Sequence, residues 1–194
     1  MTKPTKEDLK DALQVLVYLK RNPVAGALPV KKVPQTKPTF VLYSDASFEK
    51  PKSKSTSGML VMFNGAPITW QSKQQSIVAT STCEAEYIAA STAVQECMWL
   101  RKLLADMRGE AKPIILYMDN KASIKVASDD VAYATGRTKH IDVEYHYVQD
   151  HVMKREVVPR FVSTKFQLAD AMTKILSKDK HRELMKFGGM VFTE

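Results

Sequence analysis

"TFVLYSDAS", residues 39–47, is the stretch that decides the fold. It is an almost continuously apolar run that ends in Asp45 and two small residues. A second stretch, "PIILYMD" at residues 113–119, has the same form and ends in Asp119. Continuous apolar runs of this length are typical of central strands that are covered on both faces. The two stretches therefore predict central strands of one sheet, each with an aspartate at its carboxyl end.

The sequence around these runs predicts the other elements of an α/β or mixed-sheet domain. "SGMLVMFNG" and "APITWQSK" are predicted as strands that meet at Asn64-Gly65, a pair that tolerates the positive φ of a hairpin turn. A long helix is predicted at about 81–107, followed by the second apolar strand. The element order is βββαβααβαα, with helices on the faces of the sheet. Further helices are predicted at 120–128, 138–155, 165–175 and 178–187, and a further strand is predicted at 157–162.

The first 38 residues differ from the rest. "PTKEDLKDALQVLVYLKRNP", residues 4–23, has the apolar period of an amphipathic helix and stops at a proline, and a basic, proline-rich linker follows. We therefore predict a boundary near residue 38, with an N-terminal segment at 1–38 and a domain at 39–194. Residues 1–39 hold eight Lys/Arg and three Asp/Glu, so +5 of the net charge of +8 lies there. A basic excess of this kind suggests a polyanionic partner.

The bulk composition excludes several classes of protein. With 194 residues, 44% of them hydrophobic, the chain can bury a real core. It has no apolar run of membrane-spanning length and no secretory signal at its start, so we expect a soluble, non-secreted protein without a membrane partner. Cys83 and Cys97 lie about 21 Å apart on one predicted helix, too far for a disulfide. No Cys/His spacing indicates zinc.

Asp45 and Asp119 become neighbours if their strands are adjacent and parallel, because the carboxyl ends of such strands meet at one edge of the sheet. Two carboxylates so close repel each other unless a cation lies between them. Taken singly, either residue is better explained as a turn aspartate at a strand end, because aspartate is common in turns.

The helix that begins at "TSTCEAEYIAAS", residues 80–91, carries two glutamates one residue apart. On a helical wheel Glu84 falls on the polar face, and we predict that it is solvated. Glu86 lies at the margin of the apolar face among small residues that allow a close approach to the sheet. It is therefore the third candidate ligand.

"TKFQLADAMTK", residues 164–174, supplies a fourth candidate, Asp170. Thr164 and Gln167 have the spacing of a capping box, so a helix is predicted to start there with Asp170 in its second turn. An aspartate near a helix N-terminus also interacts favourably with the helix dipole, which is an alternative explanation for its presence.

In this order the motifs resemble ribonuclease H, and more specifically the ribonuclease H domain of copia-type LTR retrotransposon polyproteins. The resemblance covers roughly residues 40–176, and residues 4–20 resemble the end of the reverse transcriptase part of such a polyprotein. It rests on "YSDAS", "STSGMLVMFNGAPITWQSKQQSIVATSTCEAEYIAAS", "ECMWLRKLL", "YMDNKASI", "GRTKHIDVEYHYV" and "QLADAMTK".

The resemblance implies a mixed five-stranded sheet, made of a three-strand antiparallel meander plus two parallel strands and flanked by helices. It implies hydrolysis of the RNA strand of an RNA–DNA hybrid, with two Mg²⁺ ions, replaceable by Mn²⁺, held by Asp45, Glu86, Asp119 and Asp170. Its implied partners are the hybrid and the reverse transcriptase domain of the same polyprotein. The implied location is intracellular, in the cytoplasm within virus-like particles or in the nucleus. The chain departs from cellular ribonucleases H in one respect, since "FVSTKFQ" at 161–167 lacks the histidine that precedes their last catalytic helix.

Eight residues near these motifs are candidate nucleic-acid contacts, chosen for positive charge or for reach toward a 2′-hydroxyl. We expect Trp70 and Trp99 to lie in the core instead. The eight candidates are Lys52, Lys54, Lys73, Asn120, Ser123, Arg137, Lys139 and His140.

Two rival functions remain open from the sequence. The first is a catalytically silent or domesticated module that keeps the fold and has a structural or hybrid-binding role; four intact acids argue against it. The second is a DNA-cutting relative such as an integrase core, in which a catalytic glutamate lies on a late helix, whereas here the late acid is Asp170.

Overall fold

The computed structural model describes residues 5–21, 26–27, 39–48, 53–109, 112–128 and 139–191 of the chain. The helices are α1 (Lys6–Arg21), α2 (Thr82–Arg108), α3 (Lys121–Ser128), α4 (Lys139–Met153), α5 (Asp170–Thr173) and α6 (Lys178–Phe187). The strands are β1 (Gly26–Ala27), β2 (Phe40–Ser47), β3 (Thr56–Phe63), β4 (Ala66–Gln74), β5 (Ile114–Met118), β6 (Val157–Phe161) and β7 (Met190–Val191).

The main sheet has five strands in the order β4-β3-β2-β5-β6. The first three form an antiparallel meander, and β5 and β6 continue it in parallel with β2. Asn64 and Gly65 both have positive φ in the turn between β3 and β4, as the hairpin signal predicts. The predicted mixed five-stranded sheet flanked by helices is confirmed.

Two apolar layers cover the sheet. On one face Leu42 and Leu116 pack against α2, α3 and α4, with Tyr87 and Val148 among the fully buried side chains. On the other face Tyr43 and Leu60 pack with residues near α5 and α6. Because both faces are covered, β2 and β5 are apolar along almost their whole length, which is the pattern seen in their sequences.

The N-terminal helix α1 stands apart from these layers. None of its side chains is buried, and Leu13 and Leu16 remain 51% and 60% exposed. The ring of Tyr18 meets that of His181 on α6 edge-on at 6.0 Å. Most of the predicted linker lies outside the described residues, so the boundary near residue 38 stays a prediction. Within the described part of the chain, none of the helices combines the length and apolar character that crossing a membrane requires.

Two expectations about tryptophans are wrong. Trp70 and Trp99 are 62% and 59% exposed. Trp70 lies on the edge strand β4, whose residues alternate in burial. Trp99 is two residues beyond the buried Cys97 on α2, and two helical steps of about 100° turn it away from the sheet.

The helix predicted at 165–175 is also wrong in form. A 3-10 turn at Thr164–Phe166 comes first, capped by the Ser163 side chain, and α5 starts afresh at Asp170. The turn is separated from α5 at Gln167, whose backbone is extended and whose side chain points into the core. Asp170 therefore occupies the first turn of a short helix.

Candidate metal centre

Three carboxylates from three separate elements meet at the carboxyl edge of the parallel strands. Tyr43 on β2 pairs with Tyr117 on β5, so Asp45 and Asp119, each two residues further along, come side by side. Glu86 reaches the same place from α2. One oxygen from each of the three side chains lies within 4.8 Å of the others. The predicted convergence of these three acids is therefore present in the structure.

The position of Glu86 depends on how the start of α2 is attached to the sheet. The buried Gln75 side chain donates from Nε2 to the Ser57 hydroxyl and to the Ala85 carbonyl, both at 2.9 Å. Ala85 and Ala89 pack against Ala46 of β2 in a small apolar cluster. Because these side chains are short, the helix approaches the strand closely enough for a glutamate to reach the strand ends.

Glu84 is not the solvated residue that the helical wheel predicts. It is 8% exposed, and its Oε2 accepts hydrogen bonds from the backbone N–H of Thr80, at 2.6 Å, and from the Thr80 hydroxyl. Ser81, the N-cap residue, accepts from the backbone N–H of Glu84. This reciprocal arrangement resembles a capping box, and the spacing Ser81-x-x-Glu84 is the signal that could have revealed it. The two glutamates thus have different roles: Glu84 stabilises the start of the helix, and Glu86 faces the aspartates.

Asp170 reaches the site because α5 packs tightly on β3. A Cβ atom on Gly58, the partner of Asp45 in the antiparallel ladder, would lie 2.6 Å from Thr173 Cγ2 and 2.8 Å from Met172 Cβ. Only a residue without a side chain allows this approach. The buried Gln167 donates from Nε2 to the Ser44 carbonyl at 2.9 Å and so ties the segment before α5 to β2.

Residues at the end of α5 contact the acids directly, and sequence reasoning did not single them out. Thr173 donates its hydroxyl to Asp45 Oδ2 through a short hydrogen bond. Lys174 Nζ lies 3.2 Å from Asp45 Oδ1 and 2.7 Å from Asp170 Oδ1. Thr164, in the preceding turn, donates to Asp119 Oδ2 at 2.9 Å. The predicted fourth acid, Asp170, is thus linked to Asp45 through a lysine.

The electrostatics show a deficit of positive charge. Burial, reinforced by the charges of Asp45 and Asp119, raises the pKa of Glu86 to about 9. Burial also raises the pKa of Asp170, although the hydrogen bond from Lys174 opposes this. Burial acts to lower the pKa of Lys174, but its hydrogen bond to Asp170 and the charge of Asp45 raise that pKa above the usual range. The cluster therefore favours any added cation.

The donor set suits a hard divalent cation. All the converging atoms are carboxylate oxygens, which Mg²⁺ and Mn²⁺ prefer. Glu86 Oε2 is buried and has no hydrogen-bond partner among the described residues. A buried carboxylate oxygen without a partner is costly, and a metal ion would satisfy it. The residues present therefore fit a metal centre.

The predicted nucleic-acid contacts are placed unevenly. Lys54 and Lys73 are exposed. Asn120 accepts from the backbone N–H groups of Ala122 and Ser123 and so caps α3. Ser123 is fully buried and donates to the Cys83 carbonyl at 3.2 Å, which does not support a contact with nucleic acid.

The other four candidates are not described to the same extent. Lys52 and Arg137 lie outside the described residues. Lys139 and His140 begin α4, and their side chains fall outside the described part of the chain. These four stay predictions.

Comparisons with known proteins agree with the fold and the motifs. No family model matches the chain. It is 36% identical over 150 residues to the retrovirus-related Pol polyprotein from transposon TNT 1-94 of Nicotiana tabacum, a match that covers 76% of this chain and 11% of the relative. It is 33% identical over 181 residues to the corresponding polyprotein from transposon RE1 of Arabidopsis thaliana, covering 92% of this chain and 12% of the relative.

Solved structures show the same fold at low sequence identity. LC11-RNase H1 matches with a TM-score of 0.54 and 15% identity over 70% of this chain and 92% of that one. The same enzyme in complex with an RNA/DNA hybrid matches with a TM-score of 0.52, 15% identity, and 70% and 94% coverage. The chain spans about a tenth of the length of the polyproteins it matches. Over most of its length the chain is homologous to a segment of the Pol polyproteins of copia-type plant retrotransposons, and it has the ribonuclease H fold.

Proposed function

We propose that the chain is a metal-dependent endonuclease that hydrolyses the RNA strand of RNA–DNA hybrids. One observation carries the proposal: Asp45, Glu86 and Asp119 converge within 4.8 Å, and a buried oxygen of Glu86 lacks a partner. Asp45, Glu86 and Asp119 would hold one Mg²⁺, and Asp45 with Asp170 a second. When bound, the two ions supply an activated water and stabilise the leaving oxygen, so no side-chain nucleophile is required.

The protein's own contribution is position and charge. Asp45 and Asp119 are fixed by the parallel register of β2 and β5, and Glu86 by the anchored start of α2. The donors Thr164 and Thr173 orient Asp119 and Asp45 through their hydroxyls. The exposed Lys54 and Lys73 are available to phosphates of the hybrid.

The proposed partners are the hybrid and the reverse transcriptase part of the same polyprotein. The exposed apolar side chains of α1 support the second, because an amphipathic helix without a covered face is typical of an interface. The resemblance to the end of a reverse transcriptase over residues 4–20 points to the same neighbour. We propose an intracellular location, within cytoplasmic virus-like particles or in the nucleus, on the family resemblance alone.

The test is a cleavage assay on a hybrid with a labelled RNA strand, with Mg²⁺ or with a chelator. We expect Mg²⁺-dependent cuts in the RNA strand, and none in double-stranded DNA of the same sequence. Asp119→Asn should bind the hybrid as well as the unaltered protein while losing cleavage. A folded protein that binds the hybrid but leaves it intact under both Mg²⁺ and Mn²⁺ would establish the silent-module alternative.

A further inference from the structure

Lys174 places its ammonium group between two acids of the metal centre. Its Nζ lies 3.2 Å from Asp45 Oδ1 and 2.7 Å from Asp170 Oδ1. The side chains of Asp45 and Asp170 are 0% and 4% exposed, whereas that of Lys174 is 39% exposed. The lysine therefore reaches into the site from the surface. Among the ion pairs of the described residues, it supplies the only cation that contacts any of the four acids.

The place that the ammonium occupies is one where a divalent cation would also bind. A metal shared by Asp45 and Asp170 would lie between the two carboxylates, whose Oδ1 atoms now accept from Lys174. Two cations cannot share that position, because like charges so close repel each other. Both oxygens of Asp45 are engaged by adjacent residues, since Thr173 donates to Oδ2. Binding of a metal at this position and retention of Lys174 are therefore mutually exclusive.

The backbone at Lys174 allows the side chain to leave without unfolding a helix. Lys174 is the residue that follows α5, with an extended backbone at φ −128° and ψ 145°. A flexible four-carbon side chain that is more than a third exposed can rotate into solvent without a change in the backbone. Asp45 and Asp170 stay in place because β2 and the hydrogen bond of Gln167 to Ser44 fix them independently of the lysine.

We propose that Lys174 is a removable counterion: its ammonium group neutralises Asp45 and Asp170 in the metal-free protein and is expelled when a divalent cation binds between them. The inference rests on the proposed metal-dependent function. Lys174 would in this way keep the acids together before metal arrives, and it would set the metal concentration at which the site fills. It is a positioning residue whose release accompanies loading of the site.

The first test compares Lys174→Met with Lys154→Met in the absence of nucleic acid. Lys154 is a matched control because it also pairs with an aspartate four residues away, Asp150, at 2.6 Å, but on the exposed surface. Without metal we expect a lower melting temperature for Lys174→Met than for the control. Calorimetric titration with Mn²⁺ should show affinity raised about fivefold or more, the effect of one unit charge about 4 Å away even in water. Unchanged or weakened Mn²⁺ affinity in Lys174→Met overturns the inference.

A second measurement uses the unaltered protein, so it remains decisive if Lys174→Met does not fold. Reductive methylation of lysines, mapped by mass spectrometry, is followed with and without Mg²⁺. Methylation of Lys174 should accelerate several-fold when Mg²⁺ is present, whereas that of Lys154 should not change. A Lys174 rate that Mg²⁺ leaves constant or slows, in protein shown by titration to bind the ion, overturns the inference.

The outcomes separate this inference from the proposed function. If the unaltered protein binds no divalent cation, both are overturned. If it binds metal and releases Lys174 but does not cut the hybrid, the counterion role stands and the nuclease proposal fails. If it cuts the hybrid while Lys174 stays protected from methylation, the nuclease proposal stands and the counterion role fails.

Discussion

The balance of positive and negative charge differs between the two edges of the parallel part of the sheet. At the amino edge a single carboxylate, that of Glu156, is shared by Arg101 Nη1 at 3.0 Å and His151 Nδ1 at 2.7 Å. At the carboxyl edge Asp45, Glu86 and Asp119 converge, and one lysine, Lys174, pairs with Asp45 and Asp170. Among the described residues, only the second cluster leaves a buried carboxylate oxygen without a hydrogen-bond partner.

The pKa shifts express this difference. At the amino edge the hydrogen bond from His151, helped by the charge of Arg101, lowers the pKa of Glu156. At the carboxyl edge burial and neighbouring acids raise the pKa of Glu86 to about 9. In the first cluster the carboxylate already has cationic partners in the folded protein, and the cluster stabilises the fold. The negative charge of the second cluster is balanced only when a cation is added. An excess of negative charge is therefore the feature that distinguishes the metal site from a structural ion pair.

The largest expected effect is on catalysis at the carboxyl edge. Asp45→Asn should reduce hybrid cleavage by more than about 100-fold, because even residues that merely support metal ligands cost about 10–100-fold when replaced. The matched control is Asp150→Asn, which alters an exposed aspartate paired with a lysine four residues away. It should leave single-turnover cleavage unchanged. Comparable cleavage by both variants would remove the functional contrast between site and surface acids.

The second prediction concerns the approach of α5 to the sheet. Gly58→Ala should lower the free energy of unfolding by about 1–3 kcal/mol, the usual cost of overpacking, since the new methyl group meets Thr173 and Met172. It should also reduce cleavage by displacing Asp170. Gly188→Ala is the control, because a Cβ there has only ordinary contacts, the nearest at 3.4 Å. Equal denaturation curves and cleavage rates for the two variants would contradict the assigned role of Gly58.

The third prediction separates the two glutamates of α2 in metal-free protein. Glu84→Ala should lose about 1 kcal/mol of stability, as expected for a lost helix cap, and retain cleavage where folded. Glu86→Gln should gain about 1 kcal/mol, or roughly 2–4 °C in melting temperature, and lose cleavage. Thermal melts in chelator and single-turnover assays decide between them. Stabilisation by the Glu84 change instead would reverse the assignments.

The fourth prediction gives the two edges opposite pH dependence. Because the pKa of Glu86 is raised from 4.5 to about 9, its favourable contribution is complete below pH about 4.5 and is lost as pH rises toward 9. Because the pKa of Glu156 is lowered, its contribution is present above pH about 4.5 and is lost as pH falls further. In metal-free protein Glu86→Gln should flatten the alkaline limb of the stability profile and Glu156→Gln the acid limb. If both substitutions changed the same limb of the profile of stability against pH, the proposed difference between the two edges would be refuted.

The smallest effect is expected at the amino edge. Arg101→Met should cost less than about 1 kcal/mol, because the pair is 22% and 26% exposed and partly exposed ion pairs contribute little. Cleavage should not change. A tenfold loss of single-turnover rate would show that the two edges are coupled through the sheet.

The sequence predicts what depends on local periodicity. The two apolar runs place Asp45 and Asp119 at strand ends, and the small residues around Glu86 indicate its close approach to the sheet. Glu84 was misassigned because a wheel ignores a side chain that reaches back past the helix start. Asp170 lies in the predicted segment but in the first turn of a later helix, because Gln167 bonds to Ser44 of β2 instead of closing a capping box with Thr164.

The contacts that escaped prediction join residues far apart in the chain. Lys174 and Asp45 are 129 residues apart, and Thr164 and Asp119 are 45 apart. No local pattern encodes such pairs. The requirement for glycine at position 58 could not be predicted for the same reason, because a side chain there would clash only once α5 packs against β3.

The parallel register of β2 with β5 also carries a consequence for the kinetics of folding. Tyr43 and Tyr117 pair although they are 74 positions apart in the sequence, whereas β3 and β4 are joined by a tight hairpin. Local hairpins form in microseconds or so, while non-local pairing must overcome the entropy of closing a long loop and comes later. Asp45 and Asp119 therefore become neighbours only at one of the last steps of folding. During synthesis, the site should therefore remain inert toward metal until residues beyond β5 have emerged and the sheet has closed.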